Sequence, residues 1–176
     1  MTRLALIELR EVSKVFGHSP QTALKLLEEG WSKERLAKEK QLIVGVNRVS
    51  LQIEEGEIFV IMGLSGSGKS TLVRMLNRLI EPTAGQILIR GQNIMDLNDE
   101  GLRELRRKTV GMVFQKFALF PHRSVIGNVE YGMEVQGVPK KERREKALKA
   151  LELVGLRGWE SKMPHELSGG MQQRVG

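Results

Sequence analysis

The sequence predicts an α/β fold in which a β-strand leads through a glycine-rich loop into a helix. Residues 57–62 form a short apolar run rich in strand-forming side chains, which predicts the strand. Residues 63–70 contain three glycines, and Leu72, Leu76 and Leu79 then recur at the spacing of a helix face. These three observations place the loop at the amino-terminal end of a helix.

The loop fits the pattern G-x-x-x-x-G-K-[ST], which is typical of nucleotide phosphate sites. Glycines let the backbone curl with its N–H groups inward, and the helix dipole adds partial positive charge. We expect Lys69 to reach the β- and γ-phosphates, Ser70 to offer its hydroxyl to Mg²⁺, and Thr71 to lie beside the α-phosphate. Nucleotide contacts are therefore predicted for Gly63, Leu64, Ser65, Gly66, Ser67, Gly68, Lys69, Ser70 and Thr71.

A second motif follows about a hundred residues later, where Ser168, Gly169 and Gly170 stand at a predicted helix start. Serine is a favoured helix cap, so one reading is an ordinary capped helix. The alternative is a second anion site, because the exposed backbone N–H groups at a helix start can bind an anion. Because one chain has no second triphosphate to fill it, we expect this site to be completed by another copy.

Together the two motifs resemble the nucleotide-binding subunits of ABC transporters. Residues 63–71 correspond to the Walker A motif of that family. Its signature motif corresponds to Leu167, Ser168, Gly169, Gly170, Met171 and Gln172. The resemblance implies a head-to-tail pair of subunits, in which ATP on one Walker A motif is capped by the signature of the other. It also implies that Gln115, which follows the buried-looking run 110–114, contacts Mg²⁺ and the attacking water.

Phe16 stands where the family places an aromatic ring against adenine. Stacking of a base on an aromatic face contributes on the order of 1–3 kcal/mol in nucleic-acid complexes. Packing in the core is the alternative for a single Phe at the end of a strand. With the resemblance in view, we expect Phe16 to stack on the adenine.

Within the family the chain is most similar to the ATPases of importers for glycine betaine, proline betaine and related osmoprotectants. Residues 58–64, 76–83 and 117–122 carry this resemblance, together with an insertion at residues 20–42. The insertion is predicted to form two short helices, the second capped by Ser32. The resemblance implies ATP and Mg²⁺ as cofactors, membrane permease subunits as partners, an indirect link to a substrate-binding protein, and a peripheral location on the cytoplasmic side of the inner membrane.

The resemblance also implies a domain organisation. Residues 1–115 are expected to form an antiparallel β subdomain with the phosphate-loop core, and residues 116–176 a helical subdomain that ends just after the signature. Residues 116–137 mix apolar, aromatic and turn residues. They fit either the core of the helical subdomain or the surface that docks the permease.

The family's next elements do not follow Gly176 in this sequence, so the C-terminal core strands are missing and no general base is assigned. We therefore expect the chain to bind nucleotide better than it hydrolyses it, since phosphoryl transfer needs an oriented water. The absent strand would leave an unpaired apolar edge. A truncated non-catalytic nucleotide binder is the alternative function, and a soluble kinase-like enzyme would need an acceptor site in place of the signature.

Composition excludes several other classes of protein. The 28 basic and 21 acidic residues give a net charge of +7, but glutamates interrupt both basic runs, which argues against a nucleic-acid partner. There is no cysteine, so disulfides and thiolate metal sites are excluded. The three histidines show no metal-ligand spacing. No stretch approaches the roughly 18 apolar residues of a membrane span, and no signal peptide is predicted at the start.

Overall fold

A computed structural model describes residues 5–114 and 117–176. The chain divides into two compact units, Met1–Arg103 and Glu104–Gly176, and the division falls within one helix, α4 (Asp99–Lys108). Each unit has its own buried apolar residues.

The first unit is built on a four-stranded antiparallel sheet. Its strands are β1 (Ile7–Phe16), β2 (Ile43–Ile53), β3 (Ala84–Ile89) and β4 (Gln92–Asn93), in the order β2-β1-β3-β4. Leu9 of β1 lies opposite Leu51 of β2 and Ile87 of β3. Cross-strand apolar pairs of this kind stabilise a sheet. The predicted antiparallel part of the fold is therefore present, with its first strand near the start of the chain.

Two short helices fill the insertion, as predicted: α1 (Pro20–Glu28) and α2 (Lys33–Lys40). The hydroxyl of Ser32 accepts a hydrogen bond from the backbone N–H of Arg35, which confirms Ser32 as the cap of α2. The two helices and the sheet share a core, whose fully buried members are Val15, Ala23, Leu36 and Leu42. The insertion is thus packed on the sheet.

The strand predicted at residues 57–62 is not formed, and that prediction is wrong. These residues have no regular secondary structure, and Ile58, Val60 and Met62 are 91%, 66% and 85% exposed. A strand needs a neighbouring strand for its backbone N–H and C=O groups. Within residues 5–114 and 117–176, the sheet holds only β1 to β4. The helix after the loop does form, as α3 (Lys69–Met75), with Leu72 and Met75 buried.

The second unit is helical. It contains α5 (Val125–Val135), α6 (Lys140–Leu153) and α7 (Gly169–Val175), with a single 3₁₀ turn at Pro164–Glu166 before α7. The buried core of this unit consists of Val125, Ile126, Ala147, Leu151, Leu156 and Leu167. The run 110–114 is not buried as the sequence suggests, because Val113 is 87% and Phe114 43% exposed. It likewise has no strand partner among the residues described.

The two basic runs, residues 103–108 and 140–146, lie on α4 and α6, and most of their basic side chains are exposed. Their charges are paired along each helix, with Lys146 on Glu142 in α6 and Lys108 on Glu104 in α4, both at 2.6 Å. Surface pairs at this spacing contribute only a few tenths of a kcal/mol each, on the order of 0.3–0.5. The pairs therefore mainly offset the positive charge of these faces.

Candidate functional site

The phosphate loop occupies residues 63–68, directly before α3. Gly66 and Gly68 have φ angles of 79° and 92°, which lie in the region that residues with a Cβ avoid. At Gly68 an added Cβ would overlap the backbone carbonyl oxygen of Gly45 on β2. The loop therefore turns closely against β2, and this approach requires glycine at position 68.

Lys69 spans the loop. Its ammonium group donates hydrogen bonds to the carbonyl oxygens of Gly63 and Leu64, both at 2.7 Å, and lies 3.4 Å from the hydroxyl of Ser67. These acceptors are uncharged, so they leave the positive charge of Lys69 un-neutralised. The arrangement places a cation beside a curled glycine backbone, which is the combination that phosphate groups require.

The residues at the start of α3 supply hydroxyl groups. Ser70 is exposed, so its hydroxyl is accessible to a cation, and Thr71 is half-buried. Magnesium prefers oxygen ligands and is commonly held by one or two protein groups together with substrate phosphates. Hydroxyl oxygens at the start of α3 are therefore of the kind that could hold Mg²⁺, and Ser70 is the exposed one.

Three residues lie close together beside the loop: Phe16, Gly45 and Thr71. Phe16 ends β1, and the residue is 39% exposed. A Cβ built on Gly45 would lie 2.9 Å from Cε2 of Phe16 and 3.5 Å from Cγ2 of Thr71. The aromatic ring therefore lies next to the start of α3, and Gly45 provides the space for both. The ammonium of Lys14 lies 5.2 Å from the centre of the same ring, within cation–π range.

Gly45 is a residue that the sequence reasoning did not identify. Its position within a strand could have identified it, because a glycine there often marks a close approach of another backbone or a ligand. Gln115, expected to contact Mg²⁺ and water, lies outside the described residues.

The signature motif forms the start of α7. The hydroxyl of Ser168 accepts a hydrogen bond from the N–H of Met171 at 3.3 Å, so Ser168 is a helix cap. Leu167 is buried, whereas Gly169 and Gly170 are exposed, and a Cβ added at either glycine would have no atom within 4 Å. The two glycines therefore present open backbone to the surface.

The side chain of Gln172 has a role that the sequence did not reveal. Its Nε2 donates hydrogen bonds to the carbonyl oxygens of Pro164 and Leu167, at 2.9 and 3.2 Å. The carboxylate of Glu166 accepts from the N–H of Met163 at 2.7 Å, and this backbone donor, followed by the neighbouring Lys162, lowers the pKa of Glu166. These hydrogen bonds of Glu166 and Gln172 stabilise the turn that precedes the exposed glycines.

A third feature of the second unit is the loop at residues 120–124. Asn128 holds it: Oδ1 accepts from the N–H of Phe120 at 2.7 Å, and Nδ2 donates to the carbonyl oxygens of Phe120, Arg123 and Ser124. Phe120 and Tyr131 contact edge to face, with ring centres 4.5 Å apart. Both rings line a cavity of about 630 Å³. Within the region 116–137, Val125 therefore belongs to the buried core, whereas Phe120 and Tyr131 line this cavity.

Residues 5–114 and 117–176 contain no group of three or more His, Cys, Asp or Glu side chains that could hold a metal ion. In the same residues, no helix has both the length and the apolar character needed to cross a bilayer.

Comparison with solved structures supports the fold. The dimeric structure of MJ0796, described as a bacterial ABC transporter cassette, matches with a TM-score of 0.78 and 34% identity, over 96% of this chain and 66% of that chain. A dimeric post-hydrolysis state of MJ0796 bound to ADP and Pi matches equally well, with a TM-score of 0.78 and 33% identity.

Comparison with curated proteins gives higher identities. The glycine betaine transport ATP-binding protein OpuAA of Bacillus subtilis (strain 168) is 58% identical over 97% of this chain, which spans 41% of the relative. The glycine betaine/proline betaine transport system ATP-binding protein ProV of Escherichia coli (strain K12) is also 58% identical over 97% of this chain, which spans 42% of ProV. The chain therefore covers about two fifths of the length of these relatives.

A family model described as ABC transporter matches residues 46–176. The match begins in β2 and includes both the phosphate loop and the signature motif. The fold therefore combines the antiparallel sheet and helical unit expected for an ATPase with a phosphate loop, and the chain belongs to the ABC transporter family.

Proposed function

We propose that this chain is the nucleotide-binding part of an importer subunit that couples ATP binding and hydrolysis to uptake of glycine betaine, proline betaine or related quaternary amines. The observation that carries the nucleotide part is the ammonium of Lys69 held across a glycine loop at the start of α3. The transport part is supported by 58% identity, over 97% of the chain, to ATP-binding proteins of glycine betaine transport.

In this proposal the first unit holds the nucleotide. The backbone of residues 63–68 and the ammonium of Lys69 bind the phosphates of ATP, which members of this family bind. Ser70 ligates Mg²⁺, with Gln115 as a second contact, and Thr71 lies on the α-phosphate side. Phe16 stacks on the adenine, which its exposed ring beside Thr71 supports.

The second unit acts on the nucleotide of another copy. Residues 167–172 cap the ATP bound by a second subunit in a head-to-tail dimer, and the exposed backbone of Gly169 and Gly170 supplies the N–H groups for that contact. The dimeric state of the structural relative supports this arrangement. Gln115 orients the attacking water, and no general base is assigned within the chain.

The proposal also covers the subdomains, the partners and the location. Residues 1–115 serve as the β subdomain and phosphate-loop core, and residues 116–176 as the helical subdomain. Integral membrane permease subunits bind the second unit, a substrate-binding protein delivers the solute, and the complex works at the cytoplasmic side of the inner membrane. The exposed ring of Tyr131, packed edge to face on the half-buried Phe120, supports such a docking surface.

Uptake of radiolabelled glycine betaine tests the proposal. A strain that lacks this gene is complemented with the natural gene, with Lys69→Ala, or with Lys38→Ala as a control that removes an exposed lysine on α2. We expect the natural gene and Lys38→Ala to restore uptake at high osmolarity and Lys69→Ala to fail. If uptake is unchanged by the deletion while the purified protein still binds ATP, the substrate assignment is wrong and the alternative of a non-transporting nucleotide binder is favoured.

A further inference from the structure

A cavity of about 330 Å³ adjoins the phosphate loop, and one of its walls comes from the insertion. The cavity lies within the first unit, between β2 and the loop. Its lining includes Gly45 and Asn47 of β2, Gly63, Ser67 and Lys69 of the loop region, and Lys33 of α2. A residue from the inserted helices therefore lies at the same cavity as the Walker A lysine.

The backbone of Lys33 is held firmly beside this cavity. Lys33 is the first residue of α2, whose first turn is capped by the Ser32 hydroxyl on the N–H of Arg35 at 3.1 Å. The guanidinium of Arg35 stacks on the ring of Trp31 at 3.7 Å, and Leu36 is fully buried against the sheet. The side chain of Lys33 itself is exposed. An anchored backbone with an exposed, long side chain suits a residue that reaches towards a ligand.

The charges around the cavity favour an anion. Its lining contains two lysines and no carboxylate. Within the described residues Lys33 makes no ion pair. The pKa of the adjacent Glu34 is lowered first by hydrogen bonds from its own N–H and the Ser32 hydroxyl, and the charge of Lys33 contributes less. A multiply charged anion bound in this cavity would be attracted by the positive charge of both lysines.

We propose that Lys33 is a nucleotide-binding residue, which supplies a second cation to the polyphosphate of the ATP held by the phosphate loop. The inference rests on the proposed binding of ATP and adds a role for the insertion. The helices of residues 20–42 then do more than cover the sheet, because they contribute a side chain to the nucleotide site.

The test compares ATP affinity across matched variants of the full-length natural protein. Lys33→Met removes the charge but keeps the length of the side chain, Lys33→Arg keeps the charge, and Lys38→Met removes another lysine of α2 that does not line the cavity. Calorimetric titration with ATP should show a loss of roughly three- to tenfold for Lys33→Met, as for one charge-assisted contact. Lys33→Arg should remain within roughly twofold of the natural protein, and Lys38→Met should be unchanged.

Three results would overturn the inference: equal affinities for Lys33→Met and the natural protein, equal losses for Lys33→Met and Lys38→Met, or no recovery with Lys33→Arg. Equal losses would mean that only the overall charge of α2 matters. Failure of the underlying nucleotide site is recognised separately, because then neither the natural protein nor Lys69→Ala would bind ATP. Thermal unfolding of each variant confirms that it is folded.

Discussion

Gly45 shows at the scale of single residues how the nucleotide site is assembled. Its carbonyl oxygen contacts Gly68, and a Cβ at this position would lie beside the ring of Phe16 and the methyl group of Thr71. A side chain here would displace the ring of Phe16. The site therefore depends on two glycines from different elements, one in the loop and one in β2.

Gly68→Ala should destabilise the protein more than Gly66→Ala. Both positions have positive φ, which costs an alanine roughly 1–2 kcal/mol. At Gly68 the new Cβ would also overlap the carbonyl of Gly45, whereas at Gly66 no atom lies within 4 Å. Urea unfolding measures the free energy of unfolding of both variants. Equal losses at the two positions would contradict the close contact between the loop and β2.

The elements of the insertion owe their stability to packing. Isolated helices as short as α1 and α2 are marginal in water. In this protein Ala23 and Leu36 are fully buried beside Val15 and Leu42, so tertiary contacts hold both helices. The turn before α7 is held by side chains, because Glu166 accepts a hydrogen bond from the N–H of Met163 and Gln172 donates to the carbonyl oxygen of Pro164.

Leu36→Ala tests the packing of α2. Removal of a fully buried leucine typically lowers the free energy of unfolding by about 2–5 kcal/mol. Ile43→Ala is the control, because Ile43 is 61% exposed at the start of β2 and its truncation should cost less than about 1 kcal/mol. Chemical unfolding compares the two. A small loss for Leu36→Ala would mean that α2 is not docked on the sheet.

The turn before α7 should become less stable in acid. The pKa of Glu166 is lowered by the N–H of Met163 and by Lys162, so its charged form is favoured in the folded state. A lowered pKa contributes stability above the ordinary value of about 4.3, and this contribution is lost as the pH falls through the folded value. The difference in unfolding free energy between the natural protein and Glu166→Gln should therefore be present at pH 7 and vanish in strong acid. A difference that is independent of pH would refute this electrostatic role.

At the scale of the whole molecule, the chain presents surfaces that another chain or segment could cover. Ile58, Val60, Met62 and Leu64 are all at least 66% exposed, which is unusual for neighbouring apolar residues. The exposed glycines of the signature are a second such surface. Their proposed occupant is the nucleotide of another copy.

Ser168→Ala should leave ATP binding intact but weaken dimerisation of the protein. Because the signature acts on the partner's nucleotide in our proposal, the variant monomer should bind ATP as the natural protein does. ATP-driven dimerisation, measured by sedimentation with a non-hydrolysable analogue, should be strongly weakened. Lys69→Ala is the control that loses both. A defect of Ser168→Ala in ATP binding by the monomer would argue against the role in trans.

Local sequence determined several parts of this protein. The glycines and Lys69 define a loop that curls at a helix start, because their backbone freedom and charge act within a few residues. Ser32 and Ser168 cap α2 and α7 as predicted, since a cap requires only its own first turn. The two helices of the insertion were likewise predicted from spacing. The helix after the loop was predicted too, but α3 ends at Met75, so that of the periodic leucines only Leu72 lies in it, and Leu79 is 47% exposed.

Only the tertiary structure decided where strands form and what surrounds the loop. An apolar run such as 57–62 becomes a strand only if another strand pairs with it, and no described strand does. The contacts of Gly45 with Phe16 and of Lys33 with the loop cavity join residues that are distant in sequence. Such contacts depend on how β2, α2 and α3 pack together, which no local pattern specifies.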